Sequence, residues 1–227
     1  MANLITLKDI SFCYNPGKNN EVTAINGLSL TIEEGEFVGI VGTSGAGKST
    51  LLHILAGILT PSGGVYPYKG EDMSGKSPKQ IARLRNAEFG FILQDFGLIG
   101  NSTGLENVCL PLMFSKEPWR NIEKKGTEVM DKLGIEHLKG RKVNEMSGGE
   151  CQRVAIARAL VHKPSIIFAD EPTGALDVNN TRFFMNQLAE INKEGVSIIL
   201  VTHDVNTLTS CERVIELSDG RIIKGGE

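Results

Sequence analysis

Apolar and polar positions along this chain switch between two periods, and the switches predict its elements. Residues 4–14 alternate loosely, with Ile10, Phe12 and Tyr14 sharing a parity, and predict a strand. Asn15 to Asn20 is a cluster of turn formers. Leu28, Leu30 and Ile32 alternate with Ser29 and Thr31, predicting a second strand and, with the first, a small antiparallel sheet. Phe37 to Val41 is a short apolar run that reads as a buried strand, and Thr50 to Ala56 reads as a helix. Thr60 to Gly64 is expected to end that helix. Val65 to Lys69 predicts a strand that Pro67 restricts to an edge.

Ser77-Pro78-Lys79-Gln80 combines a cap, a first-turn proline and a capping-box partner, and so marks a helix start. Phe89 to Gln94 reads as a strand. Thr103 to Glu106 is a second capping box. From there to Lys163 the chain reads mostly helical, with breaks at Pro118, Gly134 and Gly140. Ser165 to Asp170 and Val196 to Thr202 read as buried strands. Between them Thr181 to Glu194 predicts a helix with Phe184, Leu188 and Ile191 on one face and Gly195 as its stop. Val214 to Leu217 and Arg221 to Ile223 flank Ser218-Asp219-Gly220 as a terminal hairpin. The pattern predicts one α/β domain over residues 1–227. Its core, over 1–95 and 164–227, has a mainly parallel sheet and an N-terminal antiparallel β subdomain. A helical insertion covers 96–163.

Composition narrows the class. The chain carries 24 Lys+Arg against 27 Asp+Glu, a net charge of −3, so it lacks the basic footprint of a general nucleic-acid binder. Cys13, Cys109, Cys151 and Cys211 are scattered and read as reduced thiols. No apolar run reaches the ~18 residues of a membrane span, and nothing at the N-terminus resembles a signal peptide. A cytoplasmic protein is expected, one that borrows its span from another chain if it works at a membrane.

The candidate chemistry centres on Gly42-Thr43-Ser44-Gly45-Ala46-Gly47-Lys48-Ser49, which fits G-x-x-x-x-G-K-[ST] between a strand and a helix. Glycines let the backbone curl and turn its N–H groups inward, and the helix N-terminus adds a positive dipole end for a phosphate. Lys48 is expected to reach the β- and γ-phosphates and the Ser49 hydroxyl to ligate Mg²⁺. Ile166-Ile167-Phe168-Ala169-Asp170-Glu171 places two acids after an apolar strand. Asp170 is expected to hold Mg²⁺ and Glu171 to act as general base toward water. Ser147-Gly148-Gly149-Glu150 reads as a capped helix start, or as a second anion site built from the same free N–H groups.

At this point a family resemblance is carried by many residues in order. Glu145 to Glu150, followed by Gln152-Arg153 and Ala155 to Leu160, resembles the signature motif of the ATP-binding cassette (ABC) ATPases. Gln94 resembles the Q-loop, Ala175-Leu176-Asp177 the D-loop, and His203 the switch histidine. Tyr14 sits where that family has an adenine-stacking aromatic, or else simply packs in its sheet. The resemblance implies ATP and Mg²⁺ bound by residues 42–49 and Thr50. It adds Gln94 to the metal site beside Ser49 and Asp170, and gives Glu171, His203 and Gln94 catalytic roles. It also implies a head-to-tail homodimer in which Ser147, Gly148 and Gly149, with Asp177, complete the partner's site. Two positions depart from the family's usual Leu-Ser-Gly-Gly-Gln: Met146 and Glu150. The former is a volume-conserving swap; the latter adds a charge near a phosphate site.

Phe89 to Gln94, Glu106-Asn107-Val108 and Glu171 to Asp177 resemble the branch serving lipoprotein release, macrolide export and antimicrobial-peptide resistance. That implies a separate membrane permease driven by ATP hydrolysis, with its contact after the Q-loop. There Phe96, Leu98 and Ile99 precede Leu110, Leu112, Met113 and Phe114, too many apolar residues for one inward face. The alternative is a permease-free ABC ATPase of DNA maintenance or translation; such chains carry coiled coils, zinc modules or a second cassette, for which this sequence has no pattern. His53, His137 and His162 carry no assigned role, and Trp119 reads as core or interface.

Overall fold

The computed structural model describes residues 2–174 and 176–226. They form two sheets and a cluster of helices. Strands β1 (Asn3–Tyr14) and β2 (Val22–Glu33) pair antiparallel, with Leu7 opposite Leu30 and Ile10 opposite Leu28. The loose alternation of β1 follows from its irregular pairing with β2. Asp9 adopts φ 51° where the register shifts between Leu7 and Ile10, and such an irregularity moves the buried set from odd to even positions. Ile5, Leu7 and Ile10 can therefore all be buried.

The single strand expected over Val65 to Lys69 is broken into short pieces: β4 (Gly63–Val65) and β5 (Pro67–Tyr68), followed by β6 (Glu71–Asp72). Pro67 is not on an edge, since β5 lies between β1 and β6. Pro67 is accommodated because β5 meets β1 at Tyr68, opposite Ile5. Between the pieces Tyr66 turns inward and donates its hydroxyl to the Leu55 carbonyl.

The larger sheet runs β11-β10-β3-β9-β8-β7. Its strands are β3 (Phe37–Gly42), β7 (Phe89–Ile92), β8 (Ile166–Asp170), β9 (Ser197–Val201), β10 (Arg213–Ser218) and β11 (Arg221–Lys224). All pair in parallel except the β10–β11 hairpin. The central strands are apolar throughout because both faces are covered. Ile40, Phe168, Ile199 and Val201 pack with helix α1 (Lys48–Leu55) and the β subdomain. Ile167, Ile198 and Leu200 pack on the other side against Phe184, Leu188 and Ile191 of α6 (Val178–Lys193).

Two boundaries differ from expectation. Helix α1 ends at Leu55, short of Thr60, because Gly57 turns the chain at φ 61°. Helix α6 begins at Val178 rather than Thr181, because Asp177 supplies the cap by accepting from the Asn180 N–H at 2.9 Å.

Helix α2 (Pro78–Glu88) has the expected Ser77–Gln80 box. The insertion contains α3 (Gly104–Cys109), opened by the Thr103–Glu106 box, with α4 (Trp119–Lys132) and α5 (Gly148–Leu160). Leu105, Val108, Ile122, Met130 and Leu138 form its own core. Helix α5 joins the two bodies: Val154 and Ala157 pack into the insertion, Ile156 and Ala159 into the sheet.

Candidate functional site

Strand β3 delivers the glycine-rich loop to the N-terminus of α1. Gly42 and Gly47 adopt φ 155° and 100°, and a Cβ there would lie 2.3 Å from the Leu217 carbonyl oxygen and 2.5 Å from that of Ala24. Only glycine fits such approaches. Lys48 folds its ammonium over the loop, donating to the carbonyls of Gly42 and Thr43 at 2.9 and 3.0 Å. It thus fixes the loop and leaves a cation at its mouth. Helix α1 has no side-chain cap, so its first N–H groups are left for a ligand. Thr50 is buried, and its hydroxyl lies 3.3 Å from that of Tyr14. The Tyr14 ring stays half exposed against the edge of Phe12.

The adjacent strand ends bring the acids to this loop. At the end of β8, Asp170 Oδ1 is buried without a hydrogen-bond partner. Burial pushes the Asp170 carboxyl above the ordinary carboxylate range, against the pull of nearby His53, Ser49 and Lys48. A buried, unpaired carboxylate oxygen beside the Ser49 hydroxyl offers the hard oxygen ligands that a divalent cation takes. Glu171 follows at φ 46°, its N–H donating to the Val201 carbonyl at 2.9 Å. Its Oε2 lies 2.7 Å from His203 Nδ1. Gln94, past the end of β7, is exposed beside the Glu171–Gly174 turn, its Nε2 3.6 Å from where a Gly174 Cβ would stand.

Residues 42–50, Asp170, Glu171, His203 and Gln94 thus converge at one end of the sheet. Ser147, Gly148 and Gly149 do not join them. They open α5, where Ser147 Oγ caps the helix and Glu150 completes the box. Among the described residues no hydrogen bond connects this segment with the loop over 42–49. Gly149 instead faces Asn180, the residue tied to Asp177, whose side-chain oxygen lies 3.3 Å from where a Gly149 Cβ would stand. Ala175 of the proposed D-loop lies outside the described residues.

Sequence reasoning assigned no role to two arginines. Arg158, buried in α5, donates to the carbonyls of Gly97 and Phe96 at 2.5 and 2.6 Å, holding the segment after Gln94 to the helix that Ser147 opens. A cation inside the apolar run Ala155 to Leu160 was its only signal. Arg141 pairs with Glu150; nothing in the linear pattern marks it.

Beside Gln94, a groove of about 770 Å³ runs between α2, β7 and the turn over Leu110–Phe114. Phe91, Leu93, Leu110 and Phe114 line it, with Arg83 and Arg158 among its polar residues. The apolar stretch divides as its length requires. Leu112 points inward and Leu98 packs on the insertion core, while Ile99, Met113 and Phe114 are exposed.

A glycine-rich loop between a parallel strand and a helix, with acids at the next strand end, defines a P-loop nucleotide-binding fold. The chain belongs to the ABC transporter family, whose model matches residues 25–174. It is 43% identical over 220 residues to the macrolide export ATP-binding/permease protein MacB of Hyphomonas neptunium, and 41% over 221 residues to the pyoverdine export ATP-binding/permease protein PvdT of Pseudomonas fluorescens. Each alignment covers 97% of this chain but 34% of the relative, so the chain spans about a third of their length. Among solved structures, the ATP-binding cassette MJ0796, in a dimeric post-hydrolysis state bound to ADP and Pi, superposes with a TM-score of 0.87 at 36% identity over 97% of both chains.

Proposed function

We propose that this chain binds and hydrolyses ATP and thereby powers export through a membrane permease. The observation that carries this reading is the convergence of Lys48, Asp170, Glu171 and His203 on one glycine-rich loop. The loop N–H groups and Lys48 bind the phosphates, and Tyr14 offers its ring to the base. Ser49, Asp170 and Gln94 would hold Mg²⁺, which supplies charge neutralisation on the phosphate oxygens. Glu171 orients a water and takes its proton as the water oxygen bonds to the γ-phosphorus and the bond to ADP breaks. With a proton on Nδ1, His203 donates to Glu171 and holds its carboxylate in place.

Ser147 to Gly149 lie apart from their own loop, so they serve the nucleotide of a second copy arranged head to tail. Asp177, whose cap partner Asn180 lies beside Gly149, sits where the two sites meet. The permease's cytoplasmic segment docks in the groove at Phe114 and Leu93, and Arg158 links that groove to α5. Among the described residues no helix is long and apolar enough to cross a membrane. Docking to a permease would hold the chain in the cytoplasm, peripheral on the inner face of the cell membrane. The names of MacB and PvdT favour export over the permease-free alternative.

Phosphate release from Mg-ATP by the purified chain tests this reading. Turnover is expected to rise faster than linearly with protein concentration and to vanish in Lys48→Ala. Turnover strictly proportional to concentration down to nanomolar levels counts against the paired site. Co-purification with a membrane permease, sought first in the neighbouring reading frames, tests the coupling.

A further inference from the structure

The acid at position 150 belongs to a pair that the reading above leaves unused. Glu150 Oε2 accepts from the Ser147 N–H at 2.7 Å and from the Ser147 hydroxyl at 2.9 Å. Its other oxygen accepts from Arg141 Nη1 at 3.0 Å. Nη2 of the same guanidinium donates to the Glu145 carbonyl. One planar group therefore grips both ends of the segment that contains Ser147, Gly148 and Gly149. Arg141 is itself anchored, its carbonyl accepting from the Gly104 N–H at 2.9 Å and its N–H donating to the Leu138 carbonyl at 3.1 Å.

Two physical difficulties meet here. The Ser147 contacts hold the Glu150 carboxyl below the usual range, so it stays ionised. An ionised carboxylate in the first turn of a helix whose N-terminus is to receive phosphate is a like charge in the wrong place. The Ser147 hydroxyl also has a single hydrogen, and it is given to Glu150. To donate to a phosphate, it must turn away and leave that carboxylate with fewer partners. A guanidinium on the second oxygen answers both, since it cancels the charge and keeps the carboxylate paired while the hydroxyl turns.

We propose that Arg141 is a positioning residue for the nucleotide bound across the dimer: it neutralises Glu150 and fixes the Glu145–Glu150 segment so that Ser147 can present its hydroxyl to the partner copy's γ-phosphate. The inference rests on the two-copy arrangement proposed above. Its signature is a dependency: Arg141 matters more when residue 150 is an acid than when it is neutral.

The test uses the full chain carrying Glu171→Gln, with ATP-dependent dimerisation followed by analytical ultracentrifugation. Arg141→Ala is expected to weaken the dimer roughly tenfold at low salt, because two equivalent pairs act per dimer and each partly exposed pair contributes a factor of a few. The loss shrinks as salt is raised. Glu150→Gln is expected to dimerise at least as well as the parent, and adding Arg141→Ala to it costs clearly less than in the parent, because only the contact with the Glu145 carbonyl is then lost. Should Arg141→Ala fold poorly, Arg141→Gln with and without Glu150→Gln makes the same comparison. An equal loss in both backgrounds, or no loss in either, overturns the proposal while the two-copy reading stands. Failure of the Glu171→Gln parent to dimerise with ATP overturns that reading and this inference together.

Discussion

Glu171 and His203 meet across the ends of neighbouring strands, the carboxylate Oε2 lying 2.7 Å from the imidazole Nδ1. The contact depends on backbone as well as side chain. Glu171 takes a left-handed φ of 46°, sparsely populated for residues with a Cβ, and its oxygen also accepts from the His203 N–H at 3.3 Å. Glu171→Gln keeps the size and the hydrogen bonding but removes the proposed base. Phosphate release is expected to fall roughly 10²–10⁴-fold, with ATP affinity by calorimetry retained. If His203 acts through Glu171 as proposed, adding His203→Ala to Glu171→Gln should cost little more. Unchanged turnover in Glu171→Gln would take this residue out of the mechanism.

Ser147→Arg is expected to leave ATP binding to the monomer intact and to block dimer closure, because a large side chain fills the cap. Mixed with Lys48→Ala, it rebuilds one complete site per heterodimer. ATP should then bring differently tagged variants together in a pull-down that neither variant gives with itself. Equal capture without ATP would contradict closure around nucleotide.

Phe114 and Leu98 are not equivalent probes of the groove. Phe114 is 78% exposed, so Phe114→Glu is expected to leave the melting temperature unchanged while abolishing co-purification with the permease. Leu98 packs against the insertion core, so Leu98→Glu should lower the melting temperature as well. Normal co-purification of Phe114→Glu would put the docking surface elsewhere.

Gly126 lets α4 approach α3 closely: a Cβ there would stand 2.4 Å from Cys109 Sγ. Gly126→Ala is expected to destabilise the chain by about 1–3 kcal/mol through overpacking, outweighing the gain in helix propensity. Urea titration measures it. A stabilised variant would mean that the helices can separate without cost.

Burial pushes the Cys109 thiol up to about 11 from 9.0. Between those values the unfolded chain releases a proton that the folded chain retains, so the unfolded state binds fewer protons there. The contribution is fully present below pH 9 and is lost as pH rises toward about 11. Urea titrations across that window should show stability falling more steeply in the wild type than in Cys109→Ala. Parallel slopes would show that Cys109 is not the source.

Much of the site was legible because its parts are local. The P-loop needs glycines at fixed offsets between a strand and a helix, and Gly42 and Gly47 adopt the backbone that spacing demanded. The three capping boxes at Ser77, Thr103 and Ser147 also form as read, since their partners lie within one turn. Less was legible where distant segments compete. The break of the Val65–Lys69 strand follows from Tyr66 reaching the Leu55 carbonyl, and the parity change in β1 from its irregular pairing with β2. No local pattern encodes either.

By itself, the sequence determined the order of most elements, the α/β class and the glycine-rich loop between β3 and α1, because periodicity, capping and glycine conformations act over a few bonds. Tertiary structure alone decided which residues meet. It set Glu171 beside His203 over a separation of 32 residues and tied Arg158 to the carbonyls after Gln94. It also matched Arg141 to the acid at position 150 and left Phe114 outside while Leu112 went in. These outcomes depend on how parallel strands stack and how α5 spans two cores. Such packing balances burial against chain entropy over the whole domain.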